Sequence, residues 1–355
     1  MADLKSNSGQ RAVAIWVLTG TIMLCIQVLL GGITRLTGSG LSITEWNVIT
    51  GVIPPMNGQQ WMEEFSKYKQ TTQFQLLNAD FSLADFKFIF FWEWFHRLWA
   101  RLVGVVFLVG FAMLIYKKKL GNDMIVPLLI LFFLGLLQAA VGWIMVASGL
   151  TGDAIYVKPT RLALHFIFAI VLISYAFWFS LHLSVPAEPT NRSKGIRDMA
   201  LVLLTLVFFQ LLYGALMAGN KAAAVAPSWP KINGDWIPGN LFSESPVAVN
   251  FVGNKLMIHF IHRNLAYLIL VGIEVWTWKV FRSETDPVRR RRLLYPLVLV
   301  LIQVMLGIGA LVSSPGIIVN RWVAFDWFAL LHQLNAMLLL FSLIYAIYLL
   351  RPVKK

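Results

Sequence analysis

Phe90-Phe91-Trp92-Glu93-Trp94-Phe95-His96-Arg97-Leu98 and His259-Phe260-Ile261-His262-Arg263-Asn264-Leu265 each open a long apolar run with a histidine–arginine pair. Ionisable residues in membrane-length apolar runs are costly, so two matching placements in one chain call for a common explanation. Working outward, 69 residues separate His96 from His165 and 70 separate His262 from His332. Each of these histidines is preceded by an apolar run carrying Gln-x-x-x-Gly: Gln27/Gly31, Gln138/Gly142, Gln210/Gly214 and Gln303/Gly307. The two halves therefore align on their polar residues, and duplication of a four-helix unit is the natural reading.

Apolar stretches near 12–33, 88–116, 123–147, 161–184, 198–219, 256–281, 292–313 and 326–350 each exceed the ~20 residues that a helix needs to span the hydrocarbon layer. Composition agrees: 58% of the 355 residues are hydrophobic, 13% are charged, and mean hydropathy is +0.70. A soluble chain of this length needs more charge to cover its surface. The net charge of +13 comes largely from short basic segments beside apolar runs, such as Lys117 to Lys119, Arg192/Lys194/Arg197, Arg289 to Arg292 and Arg351/Lys354/Lys355. That is the positive-inside pattern rather than a nucleic-acid surface. The run at 12–33 is longer than a signal-peptide core, and Gly31-Gly32-Ile33-Thr34-Arg35 is a poor small-residue cleavage site, so it reads as a retained helix. The lone Cys25 excludes an intramolecular disulfide framework.

The expected fold is an all-α polytopic membrane protein: eight transmembrane helices in two pseudo-repeated four-helix bundles, both termini cytoplasmic. The N-terminal bundle covers 1–184 and includes a long outer segment, 34–87. A cytoplasmic linker, 185–197, leads to the C-terminal bundle, 198–355. Within the outer segment, Trp61, Phe65 and Tyr68 recur at helical spacing, predicting an amphipathic helix over 59–70. The segment 220–255, with its prolines and Trp229 and Trp236, reads as an ordered lid.

In this topology His96, His165, His262 and His332 all lie a few residues past the outer ends of their helices, at one depth. Each is followed four residues on, on the same face, by alanine: Ala100, Ala169, Ala266 and Ala336. A flat porphyrin bound by the histidine needs a small neighbour there. Paired axial ligation of haem iron is the expectation. The plainer alternative is four interhelical hydrogen bonds of around 1 kcal/mol each. Glu93 shares the face of His96 and either pairs with Arg97 or presents a carboxylate at the haem edge. Its counterpart is His259, so the halves differ where an asymmetric role needs them to. Arg35, Arg97, Arg101 and Arg263 lie at or near the outer interface and read equally as surface anchors or as partners for haem propionates, for which the guanidinium fork suits a carboxylate. The glutamines and glycines read as helix-packing residues, and His182 as structural.

Gly31-Gly32-Ile33-Thr34-Arg35-Leu36-Thr37-Gly38-Ser39-Gly40-Leu41-Ser42, then Glu45-Trp46, Gly51-Val52-Ile53-Pro54-Pro55 and Lys67-Tyr68-Lys69-Gln70, together with the two histidine–arginine motifs, resemble the haem A synthase family over nearly the whole chain. The resemblance implies oxidation of the C8 methyl of haem O to a formyl group, giving haem A for terminal oxidases. It implies that His96 and His165 take the substrate haem, that His262 and His332 hold a resident haem b, and that Glu93 is the family's essential glutamate. It also implies haem O synthase and oxidase assembly factors as partners, an electron donor or acceptor that the sequence does not name, and a bacterial cytoplasmic or mitochondrial inner membrane with haem sites toward the outer face. Some members carry cysteine pairs in their outer segments; this chain has none there and resembles the cysteine-free branch that includes the mitochondrial enzyme. A di-haem b-type electron carrier and a haem transporter or chaperone are the competing classes.

Overall fold

The computed structural model describes residues 2–47, 50–186, 194–318 and 321–351, with side chains from Gly9 onward except at Thr50. Most of the 185–197 linker, with Arg192, and the tail residues Lys354 and Lys355 lie outside the described residues.

Among the described residues, eight helices are long and apolar enough to cross a membrane. They are α1 (Ala2–Leu36), α4 (Leu83–Tyr116), α5 (Asn122–Ala147), α6 (Pro159–Ser184), α7 (Lys194–Gly219), α8 (Lys255–Ser283), α10 (Tyr295–Ser313) and α11 (Ala324–Leu349). Between them lie α2 (Gly58–Lys69), α3 (Thr72–Leu77) and α9 (Pro287–Arg292). The protein is an integral multi-pass membrane protein. Every expected span is present, and helix starts fall where capping chemistry puts them. α4 begins before the apolar run because Ser82 Oγ accepts from the Asp85 N–H while Asp85 Oδ2 accepts from the Ser82 N–H. Asn254 caps α8 by accepting from the N–H groups of Leu256 and Met257.

The extra turn of α4 has a purpose in packing. Phe86, Ile89 and Phe90 are buried there with Phe65 and Tyr68 of α2, and Trp61 and Phe74 pack at the edge. Phe65 stacks on Phe86 at 5.0 Å, and Trp61 meets Phe90 edge-on at 5.1 Å. Each such buried aromatic is worth about 1.5–3 kcal/mol. The phenol of Tyr68 donates to Gln73 Oε1 (3.1 Å) and accepts from Asn78 Nδ2 (2.7 Å), tying α3 to the cluster. The expected amphipathic helix is thus present; α3 is too short to show a period in sequence.

The chain forms two compact units, with the boundary between Ile173 and Ser174, inside α6. In the first, α1 and α4 are zipped by indole donors: Trp16 Nε1 to Val106 O (3.1 Å) and Trp99 Nε1 to Met23 O (2.9 Å). A Cβ at Gly110 would overlap the Trp16 indole, so glycine sets that approach. In the second, α7 packs on α8 and α10 on α11. The fully buried Trp276 of α8 donates to Ile196 O at 3.0 Å.

Candidate paired-histidine site

Each of the four membrane histidines rests against the Gln-x-x-x-Gly of a neighbouring helix. The amide nitrogen of Gln27 stands 3.2 Å from His96 Nδ1 and 3.1 Å from Nε2. Gln138 stands 3.2 and 3.4 Å from the same atoms of His165, and Gln303 stands 3.1 Å from both in His332. Gln210 lies 3.3 Å from His262 Nε2. The glycine one turn on makes room for the ring. A Cβ at Gly31, Gly142, Gly214 or Gly307 would stand 3.2, 2.8, 3.4 or 2.9 Å from Cε1 of the facing histidine.

In every seat the ring carbon Cε1 is nearest the glycine and Nδ1 comes next. Where Nε2 is within range, at Gly142 and Gly307, it is the farthest of the three. His332 Nδ1 stands 3.1 Å from the backbone carbonyl of Gln303, an arrangement that fixes the proton on Nδ1 and leaves the Nε2 lone pair for a ligand.

The second unit brings its pair together in a T-shaped arrangement: the rings of His262 and His332 are 6.3 Å apart between centroids, with planes inclined at 62°. Two imidazoles binding one metal from opposite sides through bonds of ~2.0 Å would have ring centres roughly 6 Å apart. The donor set therefore fits an iron shared by both rings. In the first unit, His96 and His165 lie within electrostatic reach of each other. All four rings are only half-buried, and the alanines following them are partly or fully exposed, so protein side chains leave this face uncovered. Gln27, Gln138 and Gln210 Oε1 and His262 Nδ1 are buried without a hydrogen-bond partner. Among the described residues, no group of three or more His, Cys, Asp and Glu is placed to hold a bare metal ion.

Glu93 is 2% exposed, one turn before His96 in α4. Its Oε1 pairs with Arg97, and its Oε2 accepts from Ser42 Oγ (2.7 Å) and the Ile43 N–H (2.9 Å). Arg97 also donates to Ile43 O and Glu45 O, both at 3.1 Å, and its guanidinium lies over Trp46. Glu93 and Arg97 together thus clamp the first outer segment onto α4. Around them, Lys67 bonds Glu45 Oε1 at 3.0 Å and Glu64 Oε1 at 2.8 Å. The Lys67 ammonium, with help from Asn47, holds the Glu45 carboxyl below its usual range.

The second unit repeats the device with other chemistry. His259, 1% exposed, stands 3.0 Å from Ala222 O through Nε2, and Arg263 donates to Pro230 O (2.8 Å) and Lys231 O (3.3 Å). The segment ahead of α8 is held further by Asn254 Nδ2, which donates to Asn240 O, Leu241 O and Asn250 Oδ1. Of the arginines expected at propionates, Arg97, Arg101 and Arg263 each donate to outer-segment carbonyls, Arg101 to Asn47 O at 2.8 Å. Arg263 Nη1 is buried without a partner. Arg35 lies in the last turn of α1.

Sequence reasoning left the glutamines and glycines as packing residues and did not single out Ser42 or Asn335. The signal was available for the first group: four Gln-x-x-x-Gly motifs precede four histidines. Asn335, which donates to Gln303 Oε1 at 2.7 Å, has no counterpart in the other seats and carries no such signal.

Fold and site together define a polytopic helical membrane protein with paired intramembrane histidines seated on neighbouring helices. The chain belongs to the cytochrome oxidase assembly protein family (COX15-CtaA), whose profile matches residues 14–344. It is similar to the heme A synthase of Paracoccus denitrificans, 39% identical over 321 residues covering 89% of this chain and 84% of the relative. It is also similar to the heme A synthases of Maricaulis maris (37% over 341 residues, 96% of each chain) and Flavobacterium johnsoniae (35% over 342 residues, 95% and 97%).

Proposed function

We propose that this protein is a haem A synthase, an oxidoreductase that takes the C8 methyl of haem O to the formyl group of haem A for terminal oxidase assembly. The observation that carries this reading is full-length similarity to heme A synthases in a chain whose two histidine pairs are preceded by different residues: Glu93 in one, His259 in the other. The first unit, with His96 and His165, takes the substrate, and the second, with His262 and His332, holds a resident haem b. That haem supplies one-electron transfer when bound.

The protein's own residues do the rest. The axial histidines fix the substrate's position, and the alanines leave room for its plane. Glu93 already accepts from three donors, so its lone pairs are poorly available for proton abstraction. A buried carboxylate of that kind acts by charge, stabilising positive charge that develops at the oxidised methyl carbon. Arg97 keeps that carboxylate oriented, and the guanidinium groups of Arg101 and Arg263 are donors suited to the propionates. Both sites lie toward the outer face, in the bacterial cytoplasmic or mitochondrial inner membrane, with the termini on the basic, cytoplasmic side. Haem O synthase is the partner that supplies substrate.

The test is the haem spectrum of protein purified from cells making haem O. His262→Ala and His332→Ala are expected to lose the b-type absorption, whereas His96→Ala keeps it and fails to convert haem O. Equal loss of permanent b haem from substitutions in either pair would instead define a di-haem electron carrier.

A further inference from the structure

An amide nitrogen 3.1 Å from both nitrogens of an imidazole cannot lie in the ring plane, because it would then collide with Cε1. Gln27 and Gln303 occupy this position on His96 and His332, and Gln138 nearly so on His165. The glutamine amide therefore lies over the ring face, a weak but directional N–H···π contact. The glycine abuts the ring at Cε1, and in one seat the helix carbonyl of Gln303 also faces Nδ1. A ring with an amide on its face and a backbone at its edge has lost its freedom to rotate about Cβ–Cγ.

We propose that the Gln-x-x-x-Gly motifs are orienting seats. Gln27, Gln138 and Gln303 are positioning residues that set the plane of the axial imidazole they cover, not merely helix-packing residues, whereas Gln210 meets the His262 ring through Nε2 alone. The proposal rests on the reading of the four histidines as haem ligands. The seats are not equal. The Gln303 amide is itself locked, its Oε1 accepting from Asn335 Nδ2 at 2.7 Å while Asn335 also donates to Leu299 O at 2.9 Å. In the other three seats the amide oxygen is buried without a partner. The Gln27 and Gln138 amides instead donate to the backbone carbonyls of His96 and His165, each at 3.2 Å, so the seat of His332 is the one whose glutamine is held through its amide oxygen. A ligand seated in that way suits a haem that stays bound, since outer partners of a ligating histidine fix its orientation and basicity.

The low-field g value of a ferric low-spin haem with two imidazole ligands depends on the angle between their planes, which is 62° here. Gln303→Met keeps the side chain's length but removes the amide. Asn335→Ala releases that amide without touching the histidine. In the haem-loaded, detergent-purified protein, both variants are expected to keep full b-type absorption while the low-field g value shifts, more in Gln303→Met than in Asn335→Ala. The reduction potential is expected to move with it. Should Gln303→Met not survive purification, Asn335→Ala decides alone. Unchanged g value and potential with full haem loading would overturn the proposal while leaving the ligation reading intact. Unchanged haem content in His332→Ala would remove the ligation reading itself, and the seats with it.

Discussion

Alanine at position 307 would put a methyl carbon 2.9 Å from His332 Cε1 and 3.4 Å from Nδ1. Carbon–carbon contact is comfortable from ~3.5 Å, so the ring must yield by about 0.6 Å or the helices must part. Overpacking of this size costs roughly 1–3 kcal/mol. Ligand geometry tolerates only ~0.5 Å of displacement, so most of the cost falls on haem retention rather than on global stability. At 1.4 kcal/mol per factor of ten, that is about a five- to 150-fold loss of haem affinity. Gly214→Ala supplies an internal control on the opposite ligand of the same pair. Its Cβ would stand 3.4 Å from His262 Cε1, an ordinary contact, and alanine is the better helix former by ~1 kcal/mol. The assay is haem retention against a competing apo-haemoprotein, followed by b-type absorption in detergent. The account predicts weakened retention in Gly307→Ala and near-wild-type retention in Gly214→Ala. Equal retention in the two, or the reverse order, would refute the reasoning.

Arg97→Gln leaves the buried Glu93 carboxylate without its partner, and removing one member of a buried ion pair costs about 3–5 kcal/mol. Thermal unfolding in detergent is expected to fall accordingly, with proteolysis of the outer segment appearing first. The Glu93→Gln/Arg97→Gln double variant is expected to lose less than the two singles combined. Burial pushes the Tyr68 phenol up to about 12 from its ordinary value of 10.0. The folded state therefore holds this proton more tightly. The contribution is complete below pH 10 and is lost as pH rises toward 12. Tyr68→Phe is expected to abolish that alkaline weakening of the α2–α4 cluster, at a cost of ~1–2 kcal/mol near neutrality from the lost hydrogen bonds. Glu45 is held in its ionised form by Lys67, so the contribution of this pair is present at neutral pH and fades as pH falls through the lowered carboxyl value. With the side chains 40% and 50% exposed, Lys67→Met is expected to change stability by only about 0–1 kcal/mol.

Much of this architecture could be read from residue order. Apolar run length placed the eight spans, because a bilayer imposes a minimum length that little else in a chain imitates. The spacing of Trp61, Phe65 and Tyr68 announced α2 because its period survives intact over about two turns. The candidate histidines stood out for the same reason that makes them costly: each is an ionisable group in an apolar run. Helical spacing names a face but not the helix that will meet it. That is why Gln27 and Gly31 looked like packing residues until His96 was found against them. The carbonyl partners of the arginines were hidden for a related reason. Arg97 and Arg263 each bond backbone carbonyls of a segment distant in sequence, Ile43 and Glu45 in one case and Pro230 and Lys231 in the other. A loop's carbonyls carry no side-chain signature. The same holds for Ser42 and the Ile43 N–H, which complete the surroundings of Glu93 from outside its own helix.

The central claim is that a buried carboxylate in the first unit makes this chain an enzyme acting on haem O. Extraction and chromatography of haems from cells making haem O, carrying wild type or Glu93→Gln, tests it most directly. The account predicts haem A in wild type, and haem O without haem A in Glu93→Gln, with the resident haem b present in both. Haem A at wild-type level in Glu93→Gln would reduce Glu93 to an anchor for the outer segment, and haem b alone in both samples would contradict the synthase reading.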